Sequence, residues 1–144
     1  MDEPTSGLDP RERIRFRNLL SRLARDRIVL FSTHVVEDVA VACDRVMVLG
    51  GGRLHFDGPT GDLANVANGR VWEIVCNRGE LPRLPADAMQ TEELPTPQGK
   101  IAYRILSGEQ PHETAYKVDA TLEDGYLWLI ASRGWNFDLE EVQA

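Results

Sequence analysis

The sequence predicts an α/β fold over its first half, followed by a small α+β region. Two observations carry this. Between residues 1 and 67, short apolar runs alternate with segments whose apolar residues recur at helical spacing. Near Asn68-Gly69 the character changes: strand-like runs flank a proline-rich stretch, and a capped helix closes the region.

The elements follow in order. Residues 4–10 are turn-rich, with Pro4, Ser6, Gly7, Asp9 and Pro10. Asp9 is suited to cap a helix, since its carboxylate can accept from otherwise free backbone N–H groups. Pro10 fits the first helical position, where a missing N–H costs nothing. Phe16, Leu19, Leu20 and Leu23 then recur at helical spacing, and the helix is expected to end near Asp26. Ile28–Phe31 reads as a buried parallel strand, with Ser32, Thr33 and His34 at its exit. Val35–Cys43 reads as a short helix with Glu37 and Asp38 exposed. Arg45–Leu49 and Arg53–Phe56 read as hairpin arms around Gly50, Gly51 and Gly52. Gly58-Pro59 ends the second arm, and Thr60–Ala67 reads as a last short helix.

Past Asn68-Gly69, Val71–Val75 is an expected strand. Residues 79–99 hold Pro82, Pro85, Pro95 and Pro97 and are expected to be mostly loop. Ile101–Leu106 and Ala115–Val118 are expected strands. Thr121-Leu-Glu-Asp124 has the form of a capping box, and Leu122, Tyr126, Leu129 and Ile130 share one face of the helix it opens. Trp72, Trp128 and Trp135 read as packing residues.

Composition narrows the function classes. The 144 residues carry a net charge of −7, which disfavours a nucleic-acid binder. Arg11, Arg13, Arg15, Arg17, Arg22, Arg25 and Arg27 do cluster, but their spacing suits the solvated face of a helix. Cys43 and Cys76 lack metal-ligand spacing and read as structural thiols in a reducing compartment. No apolar run approaches the roughly 18–20 residues that span a bilayer, and Met1-Asp2-Glu3-Pro4 does not open a cleavable signal. The expected location is cytoplasmic.

The chemistry concentrates in Met1-Asp2-Glu3-Pro4-Thr5-Ser6-Gly7-Leu8-Asp9-Pro10. Adjacent carboxylates at a strand exit can divide two tasks: one holds Mg²⁺, the other orients or deprotonates water attacking phosphorus. An Asp-Glu pair alone carries no specificity. The whole string, however, resembles the end of the Walker B motif and the D-loop of ABC-transporter ATPases. Ser32-Thr33-His34, Glu37, Cys43-Asp44-Arg45-Val46-Met47-Val48-Leu49, Gly52-Arg53-Leu54 and Asp57-Gly58 then resemble that family's switch histidine and the segment after it.

The resemblance implies a partial P-loop NTPase α/β domain over residues 1–68 and a small α+β accessory domain over residues 69–144. It implies that Asp2 holds Mg²⁺, that Glu3 is the general base and that His34 contacts the γ-phosphate of ATP. Ser6, Gly7, Leu8 and Asp9 would form the D-loop, which in the family meets the opposite subunit and senses its nucleotide. Ala120-Thr121-Leu122-Glu123-Asp124-Gly125-Tyr126-Leu127 resembles the closing helix of the accessory domain in drug-exporter, ABC-2-type subunits. His55 and His112 receive no role.

The departures are as informative. The 144 residues contain no Walker A loop of the form Gly-x4-Gly-Lys-Ser/Thr, and no Q-loop. Leu106-Ser107-Gly108-Glu109-Gln110 differs from the family's signature motif by one residue, yet follows Walker B instead of preceding it. Glu109 would also repel phosphate, so a Ser-Gly turn between strands is the expected reading. The chain is thus read as the C-terminal portion of an exporter's ATP-binding subunit, with no ATP or Mg²⁺ expected to bind it unaided. The resemblance implies a membrane permease and a second ATP-binding subunit as partners of the intact subunit, peripheral to the inner membrane. Sheet edges left open predict a homo-oligomer. A free-standing regulatory or interaction module is the alternative.

Overall fold

The computed structural model describes residues 1–134, so Trp135 lies outside it. The chain divides into two compact units, Met1–Leu63 and a second beginning at Ala64.

In the first unit, α1 spans Pro10–Leu23. Asp9 caps it, accepting from the Arg11 and Glu12 N–H groups at 2.8 and 2.9 Å. Glu12 returns the favour, accepting from the Asp9 N–H at 3.1 Å, which completes a capping box. Helix α2 covers Val36–Ala42. Strands β1 (Arg45–Gly50) and β2 (Arg53–Pro59) pair antiparallel. Gly51 and Gly52 join them with φ of 55° and 72°, the doubly left-handed turn that follows strand twist. Helix α3 (Thr60–Asn65) follows and carries the chain across the unit boundary after Leu63.

Two expectations fail in this unit. Ile28–Phe31 is not a buried strand: Ile28 is 100% and Leu30 71% exposed. Its pairing is one isolated parallel bridge, Asp2 with Ser32, flanked by a few backbone bonds. An apolar run becomes a buried strand only where neighbours flank it and layers cover it, and among the described residues only the Met1–Glu3 segment pairs with it. Asp38, expected in solvent, is 1% exposed, because Arg17 and Thr5 hold its carboxylate inside.

The second unit is a four-stranded antiparallel sheet in the order β4-β5-β3-β6. Its strands are β3 (Val71–Cys76), β4 (Met89–Pro95), β5 (Ile101–Leu106) and β6 (Tyr116–Lys117). Register explains the core. Trp72 faces Ile105, Ile74 faces Tyr103 and Cys76 faces Ile101, so one sheet face is apolar throughout. Leu81, Leu84 and Ala88 pack onto it. On the other face, Val71 and Leu106 meet Leu127 and Trp128 of α4 (Leu122–Ser132). Arg104 reaches from β5 to Asp124 of α4, with Nε–Oδ1 at 3.0 Å and Nη2–Oδ2 at 2.5 Å. Thr121 caps α4 through the expected box with Asp124. The Ser107-Gly108 segment is a connection between β5 and β6, as expected; its Ser107 carbonyl accepts from the Trp72 indole at 3.0 Å.

Strand β4 lies where loop was expected. It is an edge strand, almost wholly exposed, whose Glu92, Glu93 and Pro95 hide its pairing partner from any apolar pattern.

Candidate functional site

The site is built on the zipper between residues 1–5 and 30–38. The Met1 ammonium donates to the Leu30 carbonyl at 3.0 Å. Ser32 N–H donates to the Met1 carbonyl at 2.8 Å, and Glu3 N–H to the Ser32 carbonyl at 2.6 Å. This short parallel alignment sets Asp2, Glu3, Ser32 and His34 side by side.

Two carboxylates stand at its end. Asp2 Oδ1 accepts from the Ser32 hydroxyl at 2.5 Å. Glu3 Oε1 accepts twice from His34: from its backbone N–H at 3.1 Å and from ring Nδ1 at 2.7 Å. Against an ionised carboxylate Nδ1 must carry the proton, so neutral His34 turns a bare Nε2 outward. As imidazolium it donates from both nitrogens. The His34 side chain is 71% exposed and Glu3 34%, so the pair is open to a ligand.

Glu3 also has φ of 48°, the one non-glycine residue in the left-handed region among those described. That conformation costs an L-residue roughly 1–2 kcal/mol. It turns the chain sharply into the Ser6-Gly7-Leu8 segment, where Ser6 N–H donates to the Glu3 carbonyl at 3.1 Å and Leu8 N–H to that of Thr5 at 3.2 Å. Gly7 takes φ of 78° at no steric penalty.

The structure therefore brings Asp2, Glu3 and His34 together. Ser6 and Gly7 lie exposed on the turn beside them, with Leu8 half-buried. Asp9 is directed instead at the α1 N-terminus, where both of its bonds are spent on capping.

Beneath the turn lies a group that sequence reasoning missed. The Thr5 hydroxyl donates to Asp38 Oδ2, and Arg17 Nε donates to Asp38 Oδ1 at 3.1 Å with Nη2 on the same oxygen. Thr5 is 2% exposed. Burial pushes the Asp38 carboxyl up. The Thr5 and Arg17 hydrogen bonds, with the Arg17 and Arg13 charges, outweigh it and hold the group below its ordinary value. Nothing in the sequence distinguishes Arg17 from the six other arginines of its stretch. Nearby, burial and the Asp44 and Asp38 charges push the Cys43 thiol up, away from thiolate reactivity.

Asp2 and the Mg²⁺ chemistry are compatible. Mg²⁺ needs only one or two carboxylates when waters and phosphates complete its shell. Asp2 is exposed, and Ser32 engages one of its oxygens. Among the described residues no group of three or more His, Cys, Asp or Glu could hold a metal by itself.

No family model matches the chain. It is 44% identical over 64 residues to the Nod factor export ATP-binding protein I of Rhizobium etli, covering 44% of the chain and 20% of that protein. An ABC transporter ATP-binding protein of Bacillus subtilis is 36% identical over 63 residues, covering 44% of the chain and 21% of the relative. One from Synechocystis is 35% identical over 81 residues, covering 56% and 22%. The chain is similar to the ATP-binding proteins of ABC transporters. These matches support kinship with the ABC ATPases, and the chain spans about a fifth of the length of these bacterial relatives. The relatives' names describe ATP-binding proteins of transporters. Among the described residues, no helix is long and apolar enough to cross a membrane.

Proposed function

We propose that residues 1–68 are the Walker B, D-loop and switch-histidine part of the ATP-hydrolysing subunit of an ABC exporter. The observation that carries this is the Glu3–His34 contact at 2.7 Å, set beside Asp2 by the parallel zipper. In the intact subunit Glu3 accepts the proton of the attacking water, and His34 holds Glu3 in place and meets the γ-phosphate. Asp2 would hold Mg²⁺, which when bound neutralises phosphate charge. Ser6, Gly7 and Leu8 form the D-loop turned to a second ATP-binding subunit, Ser6 and Gly7 at its exposed face, with Asp9 fixing the helix behind it. A membrane permease completes the assembly at the cytoplasmic face of the inner membrane, and residues 69–144 form its accessory domain.

These 144 residues contain no Gly-x4-Gly-Lys-Ser/Thr sequence. The chain unaided is therefore expected neither to bind Mg²⁺-ATP detectably by calorimetry nor to hydrolyse it. The positive test exchanges the corresponding segment of the Rhizobium etli relative for residues 1–67. The chimera should hydrolyse ATP, and Glu3→Gln in it should lower kcat by about 10²–10⁴-fold while ATP still binds. Unchanged turnover in the Gln variant would remove Glu3 from the role of base.

A second reading, a docking module, is favoured by the apolar side chains the first unit exposes: Ile28, Leu30, Leu49 and Leu54. It expects a homo-oligomer, or co-purification with a transporter subunit. A clean monomer by light scattering at high concentration opposes the homo-oligomer.

A further inference from the structure

The zipper that carries the candidate site has exposed rungs and one buried rung. Asp2–Ser32 and Glu3–His34 are open to water. Exposed polar pairs of this kind hold a geometry weakly, because solvent competes for both partners. Thr5–Asp38 is different: both side chains are almost fully buried, and Arg17 closes the carboxylate from the α1 side.

Its position along the chain matters. Thr5 lies two residues beyond Glu3, across Pro4, and Asp38 lies four residues beyond His34, in the first turn of α2. The buried rung thus clamps the same two segments that present Glu3 and His34. It also ties both to α1, whose N-terminus Asp9 caps. Glu3 sits at an unfavourable positive φ, a conformation that persists only where its surroundings enforce it. Among the described residues, the Thr5–Asp38–Arg17 group is the buried polar anchor next to it.

We propose that Asp38 is a positioning residue: through Thr5 and Arg17 it holds the segment after Asp2 against α2, and so sets the Glu3–His34 contact. Asp38 touches neither Glu3 nor His34, and acts on them through the backbone of both segments. The proposal rests on reading Glu3 and His34 as the site's working pair. The contact is observable without nucleotide, so its test stands apart from the test of that reading.

The experiment uses the full chain, ¹⁵N-labelled, near neutral pH. His34 ring nitrogen shifts report the Nδ1–H tautomer that donation to Glu3 imposes, and exchange of the His34 amide reports its bond to Glu3 Oε1. Thr5→Val removes one hydroxyl at constant shape, and Asp38→Asn removes the charge. Both are expected to speed His34 amide exchange about tenfold and to shift the tautomer toward Nε2–H, while the second unit's spectrum stays unchanged. Thr5→Ser retains the hydroxyl and should restore both signals. Glu3→Ala gives the reference for a lost contact. Thr5→Val and Asp38→Asn proteins that keep wild-type His34 signals would overturn the proposal. Collapse of all first-unit signals in both variants would also overturn it, because the group would then hold the whole unit and not the contact.

Discussion

The two units are stabilised by different physics. In the second, Trp72, Ile74, Ile101, Tyr103 and Ile105 meet in register on one sheet face, and α4 covers apolar residues on the other. In the first, the buried apolar side chains are Leu20, Val48 and Leu63, while Ile28, Leu30, Leu49 and Leu54 face solvent. What orders it is polar: a capping box, a backbone zipper and the buried Thr5–Asp38–Arg17 group. The unit with the candidate chemistry is the one without a substantial apolar core. A core resists perturbation through many small contacts, whereas a polar scaffold fails when one charged member is lost.

The largest expected effect tests that contrast directly. Ile105→Ala should destabilise the second unit by about 2–5 kcal/mol, the usual loss for emptying a buried site. Ile28→Ala should change the first unit by less than about 0.5 kcal/mol, as for a side chain wholly in water. Urea titration can separate the two, since Trp72 and Trp128 lie in the second unit and amide spectra follow the first. A loss from Ile28→Ala comparable to that from Ile105→Ala would mean that the exposed run is covered in solution.

This contrast also governs what the sequence revealed. Helix α1 was legible because its start is local chemistry, Asp9 accepting and Pro10 pre-set. The β1–β2 hairpin was legible from its glycines, and β3 and β5 from their largely apolar runs. Strand β4 was not, because an edge strand is defined by its partner and not by its own residues. The apolar run Ile28–Phe31 misled, because burial depends on neighbours a pattern cannot count. In the candidate site, the motif resemblance singled out Asp2, Glu3 and His34, which the structure brings side by side. Asp38 was hidden, since its partners lie 33 and 21 residues away and one of them is an arginine among many.

A middle-sized effect comes with acid. Asp38 and Asp124 both titrate below the ordinary value of 3.8. For Asp124, burial acts upward, and the Arg104 bonds with the Thr121 bonds and the Arg104 charge overcome it. A depressed folded pKa stabilises the fold fully above the unfolded value, and the stabilisation is lost as pH falls through the folded value. Both units should therefore weaken as pH drops below about 4. Asp38→Asn should flatten the acid limb of the first unit alone, and Asp124→Asn that of the second alone. Because the second unit retains its apolar core, the first should lose structure at the higher pH. Simultaneous loss of both sets of amide signals in acid would break the comparison.

The smallest effect is the most telling about the site. Glu3 pays for its φ of 48° with backbone strain, and glycine would not. Glu3→Ala removes the carboxylate but keeps the strain, whereas Glu3→Gly removes both. Glycine also loosens the unfolded chain, which takes back part of the gain. Glu3→Gly should therefore be the more stable of the two by about 0.5–1 kcal/mol, read from urea midpoints followed at first-unit amides. Both should lose the His34 ring contact equally. If the order holds, the carboxylate at position 3 is kept against a conformational preference that glycine would meet better, as expected of a residue retained for its chemistry. If Glu3→Ala is as stable as Glu3→Gly, the turn relaxes on its own, and the strain is no evidence that the surrounding polar scaffold is working to hold Glu3 toward His34.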